Sequence, residues 1–203
     1  MLENKKPLVV VEGGSGSGKT TAIKGLESHL GGWTFLREPG GTDFSESIRE
    51  ILLSEKNHIN KISELLLFEA ARADLVHRVI IPALTGGNII LLDRFYDSTT
   101  AYQGYGRGIP LDFIKFSNEI STYNVKPDIT FYFDIPLETA LERSNDKELD
   151  RMESAGDDFF ERVINGYREI AKLEPERILM IDGRMNKENI FEIIVERISR
   201  SVF

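Results

Sequence analysis

The sequence of 203 residues contains no cysteine, which excludes disulfides, thiolate nucleophiles and cysteine-ligated zinc. The three histidines, His29, His58 and His77, lack the spacing of metal ligands. The longest nearly uncharged stretch, Val79 to Leu92, has 14 residues, whereas a membrane-spanning helix needs about 20. The apolar run near the N-terminus is shorter than the hydrophobic part of a secretory signal. We therefore expect a cytoplasmic protein that does not enter a membrane.

Basic residues are also in the minority, with 25 Lys and Arg against 33 Asp and Glu, so the net charge is −8. The sequence pI is about 5.1, whereas nucleic-acid-binding domains usually have a pI above about 9. We expect no nucleic-acid partner. The length predicts a single domain over residues 1–203. An acidic protein of this kind must bind anions locally, with backbone NH groups, a helix N-terminus or a few arginines.

Short apolar runs alternate with helical patterns along the whole chain. The runs predicted as strands are Leu8–Val11, Thr34–Leu36, Ile89–Leu92, Ile129–Ile135 and Ile178–Ile181. The predicted helices are Thr20–Leu30, Phe44–Leu53, Ile62–Leu84, Leu111–Tyr123, Leu137–Arg143, Phe159–Leu173 and Lys187–Val202. Continuous apolar strands suit a sheet covered on both faces. The pattern predicts an α/β fold with a five-stranded, doubly wound parallel sheet, whose ligands bind beyond the carboxyl ends of the strands.

The segment GGSGSGKT follows the first strand and precedes a helix, and it fits the phosphate-binding P-loop pattern GxxxxGK(S/T). Its backbone NH groups would surround phosphate, its lysine would contact the β- and γ-phosphates, and its threonine hydroxyl would face Mg²⁺. A flexible Gly/Ser loop is the less specific alternative. The residues predicted to bind the nucleotide phosphates are Gly13, Gly14, Ser15, Gly16, Ser17, Gly18, Lys19, Thr20 and Thr21.

Three further features are candidates for function, and each has a structural alternative. Asp93 and Arg94 end the third strand, where they would hold magnesium and a phosphate, unless they form a structural ion pair. Phe68 and Arg72 lie one turn apart on one helix face and would contact a nucleobase, unless the ring belongs to the core. The segment 143–157 is rich in charge and is predicted to be a lid, unless it is a solvated junction.

With these motifs, the sequence resembles the thymidylate kinase family. The resemblance rests on REPGGT at Arg37–Thr42, DRFYDSTTAYQG at Asp93–Gly104 and LLLFEAARADLVH at Leu65–His77, together with ELDRMES and LMIDGR. It covers essentially the whole chain. It implies transfer of the γ-phosphoryl group of ATP to dTMP with Mg²⁺, giving dTDP and ADP for dTTP synthesis. It also implies a homodimer.

The resemblance further implies a role for each matching position. Lys19 and Thr20 would hold the ATP phosphates and Mg²⁺, and Asp93 would lie near the metal and the acceptor phosphate. Arg184, in the segment Asp182 to Met185, would flank adenine. The residues implied for dTMP are Arg49 and Arg94 at the phosphate, Phe68 stacked on thymine, Arg72 and Gln103 at its polar edge, Tyr102 at the sugar, and Glu38, Pro39 and Ser98 beside them.

One branch of this family has an arginine inside the P-loop, at the position that Gly16 occupies here. The charge of the transferred group would then be neutralised from the lid, by Arg151 first, with Arg143 and Lys147 as further candidates. The family commonly has an acid at the position of Ser15, which keeps open a kinase of another deoxynucleotide or a nucleoside. A nucleotide-dependent switch or binding module is the alternative outside the kinases, although no NKxD-type guanine motif is present.

Overall fold

A five-stranded parallel sheet forms the centre of the protein, in a computed structural model that describes residues 6–144, 151–152 and 155–202. Its strands are β1 (Leu8–Gly13), β2 (Thr34–Arg37), β3 (Ile90–Asp93), β4 (Ile129–Asp134) and β5 (Ile178–Asp182), in the order β2-β3-β1-β4-β5. The chain reverses its direction of winding at β1, so the loop after β1 lies at the point where parallel sheets bind ligands. The predicted α/β fold is confirmed.

Each face of β1 contributes to a different part of the core. Leu8 and Val10 pack in a cluster with Leu75 and Ile80, whereas Val9 and Val11 pack in a second cluster on the opposite face. All four of these β1 residues are fully buried. Because successive side chains of a strand point to opposite faces, this burial requires helices on both sides of the sheet.

The helices follow the strands closely, and several begin at side chains that cap them. Thr42 accepts a hydrogen bond from the backbone NH of Ser45, and Asn60 accepts from those of Ile62 and Ser63. The α-helices are α1 (Lys19–His29), α2 (Asp43–Leu53), α3 (Lys61–Leu75), α4 (Ile81–Thr85), α5 (Tyr96–Thr99), α6 (Leu111–Ser121), α7 (Leu137–Ser144), α8 (Asp157–Leu173) and α9 (Lys187–Val202). Among the described helices, none has the length and apolar character that crossing a membrane requires.

The predicted helix Ile62–Leu84 corresponds to α3 and α4, joined by a π-helical turn, π1 (Val76–Ile80). Pro82 follows this turn, and because proline has no NH group it cannot donate the usual helical hydrogen bond. The NH of Ile81 donates to the carbonyl of Val76, five residues back, as in a π-helix. The helix therefore continues past the proline with a local change of hydrogen bonding.

The sequence pattern missed a helical segment that follows β3. It consists of α5 and a second π-helical stretch, π2 (Thr100–Gly106). Its glycines and threonines have low helix propensity, so local preference does not indicate a helix there. Packing explains the glycine at 106, because a Cβ atom there would lie 2.6 Å from Phe159 in α8. Close contact between π2 and α8 thus overrides propensity.

The predicted lid, 143–157, is described only in part. Residues 145–150 and 153–154, which include the candidate Lys147, lie outside the described residues. Arg143 lies in α7, and Arg151 and Met152 form a turn before α8. The single domain and the lid remain predictions.

Candidate active site

The P-loop has the left-handed backbone that its glycines allow. Gly16 and Gly18 have φ values of 73° and 99°, and Gly18 directly precedes α1. At Gly13 a Cβ atom would lie 2.8 Å from the carbonyl oxygen of Phe133, so the loop passes too close to β4 for a side chain. Lys19 is almost fully buried, and its Nζ donates to the carbonyls of Gly13 and Gly14, both at 2.8 Å. The loop is thus pre-shaped around its lysine, with the N-terminus of α1 available to an anion.

Arg143 connects the P-loop to the loop after β5. Its Nη1 donates to the carbonyl of Gly16 at 3.2 Å and to that of Gly183 at 2.9 Å. Gly183 is itself close to the P-loop, because a Cβ atom there would lie 2.7 Å from the carbonyl of Ser17. One cation from α7 therefore lies directly against the predicted phosphate site.

The P-loop opens into a cavity of about 630 Å³ that extends to α3 and π2. A volume of this size can hold a nucleotide-sized ligand. The predicted residues that line it are Ser15, Gly16, Ser17, Gly18, Lys19, Thr20, Thr21, Glu38, Pro39, Arg49, Phe68, Arg72, Asp93, Arg94, Ser98, Tyr102, Gln103 and Arg143. The fold thus brings the two ends of the predicted site, phosphate loop and base pocket, into one continuous space.

Arg94 lies in the floor of this cavity with a left-handed backbone, at a φ of 67°. An arginine rarely adopts this conformation, and it persists only where surrounding contacts impose it. Its NH donates to the carbonyl of Val11, and its Nη1 donates to the hydroxyl of Ser98 at 3.2 Å. The guanidinium carbon also lies 5.4 Å from the centre of the Tyr102 ring. The side chain is therefore fixed below the space that an acceptor phosphate would fill.

The fully buried carboxylate of Glu12, at the end of β1, holds the turn that contains Arg94. One oxygen accepts from the NH groups of Phe95 and Ser98, and the other accepts from the hydroxyls of Ser98 and Tyr167. Burial, with Asp97 nearby, raises the pKa of Glu12 to about 7. Ser98, predicted to bind substrate, thus contacts Glu12 as well as the cavity.

Arg72 lies at the other end of the cavity in a buried ionic network. Its Nε donates to Glu38 and its Nη1 to Glu69 and Asn118, at distances of 2.8, 2.9 and 3.2 Å. Its Nη2 donates to Thr99. Burial raises the pKa of Glu38 to about 7, although Arg72 opposes that shift. Because these contacts fix the guanidinium and use four of its five N–H groups, it can present the remaining N–H of Nη2 to a ligand without further ordering.

The aromatic and amide groups predicted to contact a base lie next to Arg72. Phe68 is half-buried and lines the cavity from α3. Gln103 and Tyr102 line it from π2, and both are nearly inaccessible to solvent. The amide Nε2 of Gln103 donates to Glu64 at 2.9 Å. A ring and two orienting polar groups are what recognition of a nucleobase requires.

Among the predicted residues that the structure describes, four do not line this cavity: Gly13, Gly14, Arg151 and Arg184. Arg151 donates to Glu64 at 2.7 Å and to the carbonyl of Leu52, which directs it towards α2 and α3. Arg184 is exposed and pairs with Asp182, whose pKa falls to about 2 through hydrogen bonds from that arginine. Of the two predicted lid cations that the structure describes, Arg143, predicted as second to Arg151, is the one that contacts the P-loop.

Several residues of this site are not among those predicted from the sequence. Leu53, Phe95, Thr99, Met152 and Phe160 line the cavity. Glu12 and Glu64 lie just behind it. The signal that could have indicated Glu12 is a carboxylate within the apolar run LVVVEG. A carboxylate in a buried strand has no contact with water, so it needs hydrogen-bond partners within the protein.

The predicted magnesium ligands fit the chemistry of that ion. Thr20 and Asp93 both line the cavity, and the buried Oδ1 of Asp93 has no hydrogen-bond partner. Across the described ranges, no cluster of three or more His, Cys, Asp or Glu could hold a metal. Mg²⁺ keeps several waters and is usually held by one or two carboxylates together with substrate phosphates, and Asp93 and Thr20 offer a carboxylate and a hydroxyl of that kind.

The sequence model of one family, thymidylate kinase, matches residues 11–194. The thymidylate kinase of Prosthecochloris aestuarii is 48% identical over 204 residues, which cover 94% of this chain and 92% of that protein. That of Chlorobaculum parvum is 46% identical over 202 residues, which cover 93% of each. The crystal structure of thymidylate kinase from Ehrlichia chaffeensis is similar to this fold with a TM-score of 0.78 and 32% identity, over 96% of this chain and 99% of that one.

Proposed function

Because this chain belongs to the thymidylate kinase family, we propose that it transfers the γ-phosphoryl group of ATP to dTMP, giving ADP and dTDP. The observation that supports this proposal most strongly is the single cavity of about 630 Å³. It joins a P-loop to a pocket formed by Phe68, Arg72 and Gln103. A donor and an acceptor nucleotide bound at its two ends would meet above Asp93 and Arg94.

The proposed mechanism depends on aligning the two nucleotides and neutralising the charge of the transferred phosphoryl group, because the protein takes little part in the covalent chemistry of phosphoryl transfer. The P-loop NH groups and Lys19 would hold the donor phosphates. Arg94 and Arg49 would hold the acceptor phosphate, and each has a guanidinium that the fold already restrains. Arg49 donates from Nη1 to the carbonyl of Pro39 at 2.9 Å. Such restraint lowers the entropy lost when the acceptor binds.

Arg143 is the described lid cation best placed to neutralise charge on the transferred group, because it already contacts the P-loop. It would exchange a carbonyl contact for a phosphate oxygen, a stronger charge-assisted interaction. We propose that Thr20 and Asp93 would hold Mg²⁺, which supplies further positive charge at the donor phosphates when bound. ATP serves as the co-substrate.

An ADP-release assay with dTMP, dUMP, UMP, dCMP, dAMP and dGMP as acceptors tests this proposal. We expect the highest kcat/KM with dTMP. Lys19→Ala should lower kcat by at least a hundredfold while the circular dichroism spectrum stays unchanged. Equal rates with several acceptors, or a fully active Lys19→Ala variant, would contradict the proposal.

We also propose that the protein is a homodimer, as the family resemblance implies. Support comes from α6, where Phe113, Phe116 and Ile120 form one stripe, 44, 60 and 61% exposed. On the neighbouring α3, Leu66 is 53% exposed. A patch of this kind marks an interaction surface. Light scattering should give twice the chain mass of 23.0 kDa, and Phe116→Glu should give monomer; a monomeric parent protein would refute the proposal.

A further inference from the structure

Glu64 lies behind the base pocket and connects three parts of the fold. It belongs to α3 and is 1% exposed. One carboxylate oxygen accepts from Gln103 of π2 at 2.9 Å and from Arg107 at 3.1 Å. The other accepts from Arg107 at 3.1 Å and from Arg151 at 2.7 Å. Donors from Gln103, Arg107 and Arg151 therefore converge on one buried anion.

The surroundings of Glu64 keep it ionised. Burial alone would raise its pKa, but hydrogen bonds from Arg107 and Gln103, and the charge of Arg107, lower the pKa below its usual value. Two arginines also compensate the charge, which a buried carboxylate requires. An ionised carboxylate offers acceptors only. Any group that hydrogen-bonds to Glu64 must therefore be a hydrogen-bond donor.

This acceptor-only partner determines which way the amide of Gln103 points. An amide can turn about its last bond and exchange its NH₂ and its oxygen, so its orientation follows from its partners. Opposite Glu64 only the NH₂ group forms a hydrogen bond, and the reversed amide would place two acceptors in contact. Gln103 also lines the cavity. Its oxygen is thus the atom left to face a ligand there.

A hydrogen-bond acceptor at this position distinguishes two classes of pyrimidine. Thymine and uracil carry an NH at N3, which can donate to the amide oxygen of Gln103. Cytosine carries an unprotonated N3, an acceptor, which would face another acceptor. A site that leaves buried polar groups unpaired rejects its ligand far more strongly than one that lacks a single apolar contact. On the basis of the function proposed above, we infer that Glu64 is a positioning residue. By fixing the amide of Gln103, it makes the acceptor site select pyrimidines that carry an N3–H over cytosine.

Glu64→Gln tests this inference, because the new amide can donate or accept at the same position and nearly the same volume. We expect the ratio of kcat/KM for dTMP to that for dCMP to fall at least tenfold. The fall should come from a higher KM for dTMP and a lower KM for dCMP. If Glu64 had a merely structural role, its substitution would instead lower kcat/KM for both substrates by a similar factor. An unchanged ratio in a folded Glu64→Gln variant would overturn the inference.

Arg107→Gln is the matched control, since it removes a partner of Glu64 but leaves the carboxylate, still paired with Arg151, opposite Gln103. Its melting temperature should fall while the dTMP to dCMP ratio stays within twofold of the parent value. Glu64→Asp retains an acceptor-only group and should also keep most of the ratio. If Glu64→Gln does not fold, a ratio lost in Glu64→Asp would overturn the inference. A parent protein inactive on dTMP would instead refute the proposed function.

Discussion

Replacing Glu12 by Gln should change how the stability of this protein depends on pH. Glu12 is fully buried, and burial with the neighbouring Asp97 raises its pKa from the usual 4.5 to about 7, while Arg94 and hydrogen bonds from Ser98 and Phe95 oppose the shift. The folded state therefore keeps this proton over a pH range in which the unfolded chain releases it. The contribution is fully present below pH 4.5 and is lost as the pH rises through 7.

The size of the effect follows from the shift. The difference 7 − 4.5 = 2.5 pKa units, at 1.36 kcal/mol per unit, corresponds to about 3 kcal/mol of unfolding free energy. The amide of Gln does not titrate, so the stability of Glu12→Gln relative to the parent should rise by about this amount between pH 4 and pH 8. For a chain of this size, about 3 kcal/mol is roughly 6–12 °C of melting temperature.

Thermal or urea unfolding at closely spaced pH values between 4 and 8 measures the difference between the two proteins. Glu161→Gln is a suitable control, because it makes the same chemical change at an exposed position of α8 and removes no buried carboxylate. Parallel pH profiles for the parent and Glu12→Gln would refute the reasoning, since they would mean that Glu12 binds its proton equally in the folded and unfolded states.

Three further predictions concern the site itself. Phe68→Ala should raise the KM for dTMP by tenfold or more, as expected for loss of base stacking worth about 1–3 kcal/mol. The KM for ATP should stay within twofold. An equal rise in both KM values would assign the ring to the core alone. Gly16→Ala should destabilise the protein by about 1–3 kcal/mol, because the residue has a φ of 73° and its Cβ would lie 2.9 Å from the carbonyl oxygen of Ala140. Gly14→Ala is the control for the same melting experiment. A Cβ at position 14 would have no atom within 4 Å, so this substitution should be tolerated. Arg143→Gln should lower kcat at least tenfold at nearly constant melting temperature. Arg151→Gln should instead lower stability by roughly 1–3 kcal/mol, because it loses the contact with buried Glu64. The reverse pattern of results would make Arg151 the lid cation that acts in transfer.

The sheet and the P-loop were predictable because local pattern and tertiary environment agree there. The apolar run Leu8–Val11 is buried on both faces, which a continuous apolar strand indicates directly. The glycines at 13, 16 and 18 occupy positions where a side chain would clash or the backbone is left-handed, so the motif is itself a description of geometry. In these segments, short-range sequence carries nearly all the structural information.

The helix after β3 and the long-range partners of the carboxylates behind the site could not be predicted in this way. Gly104 and Gly106 suggest a loop locally, yet close packing against α6 at Gly104 and against α8 at Gly106 favours glycine within this helical segment. The partners of Glu12 and Glu64 are far away in sequence: Tyr167 lies 155 residues from Glu12, and Arg151 lies 87 residues from Glu64. No local pattern indicates such pairings, because the fold alone brings these groups together.

The contacts of Lys19 bear on which ligands the proposed donor site would accept. Its ammonium group donates to two carbonyls of its own loop, and a nucleotide phosphate that contacts this group would exchange with them. Hydrogen bonds to charged groups contribute about 1.5–3 kcal/mol each, so a ligand with a short phosphate chain gains little from the exchange. We therefore expect this lysine to favour triphosphates, so that adenosine or AMP competes poorly for this end of the cavity.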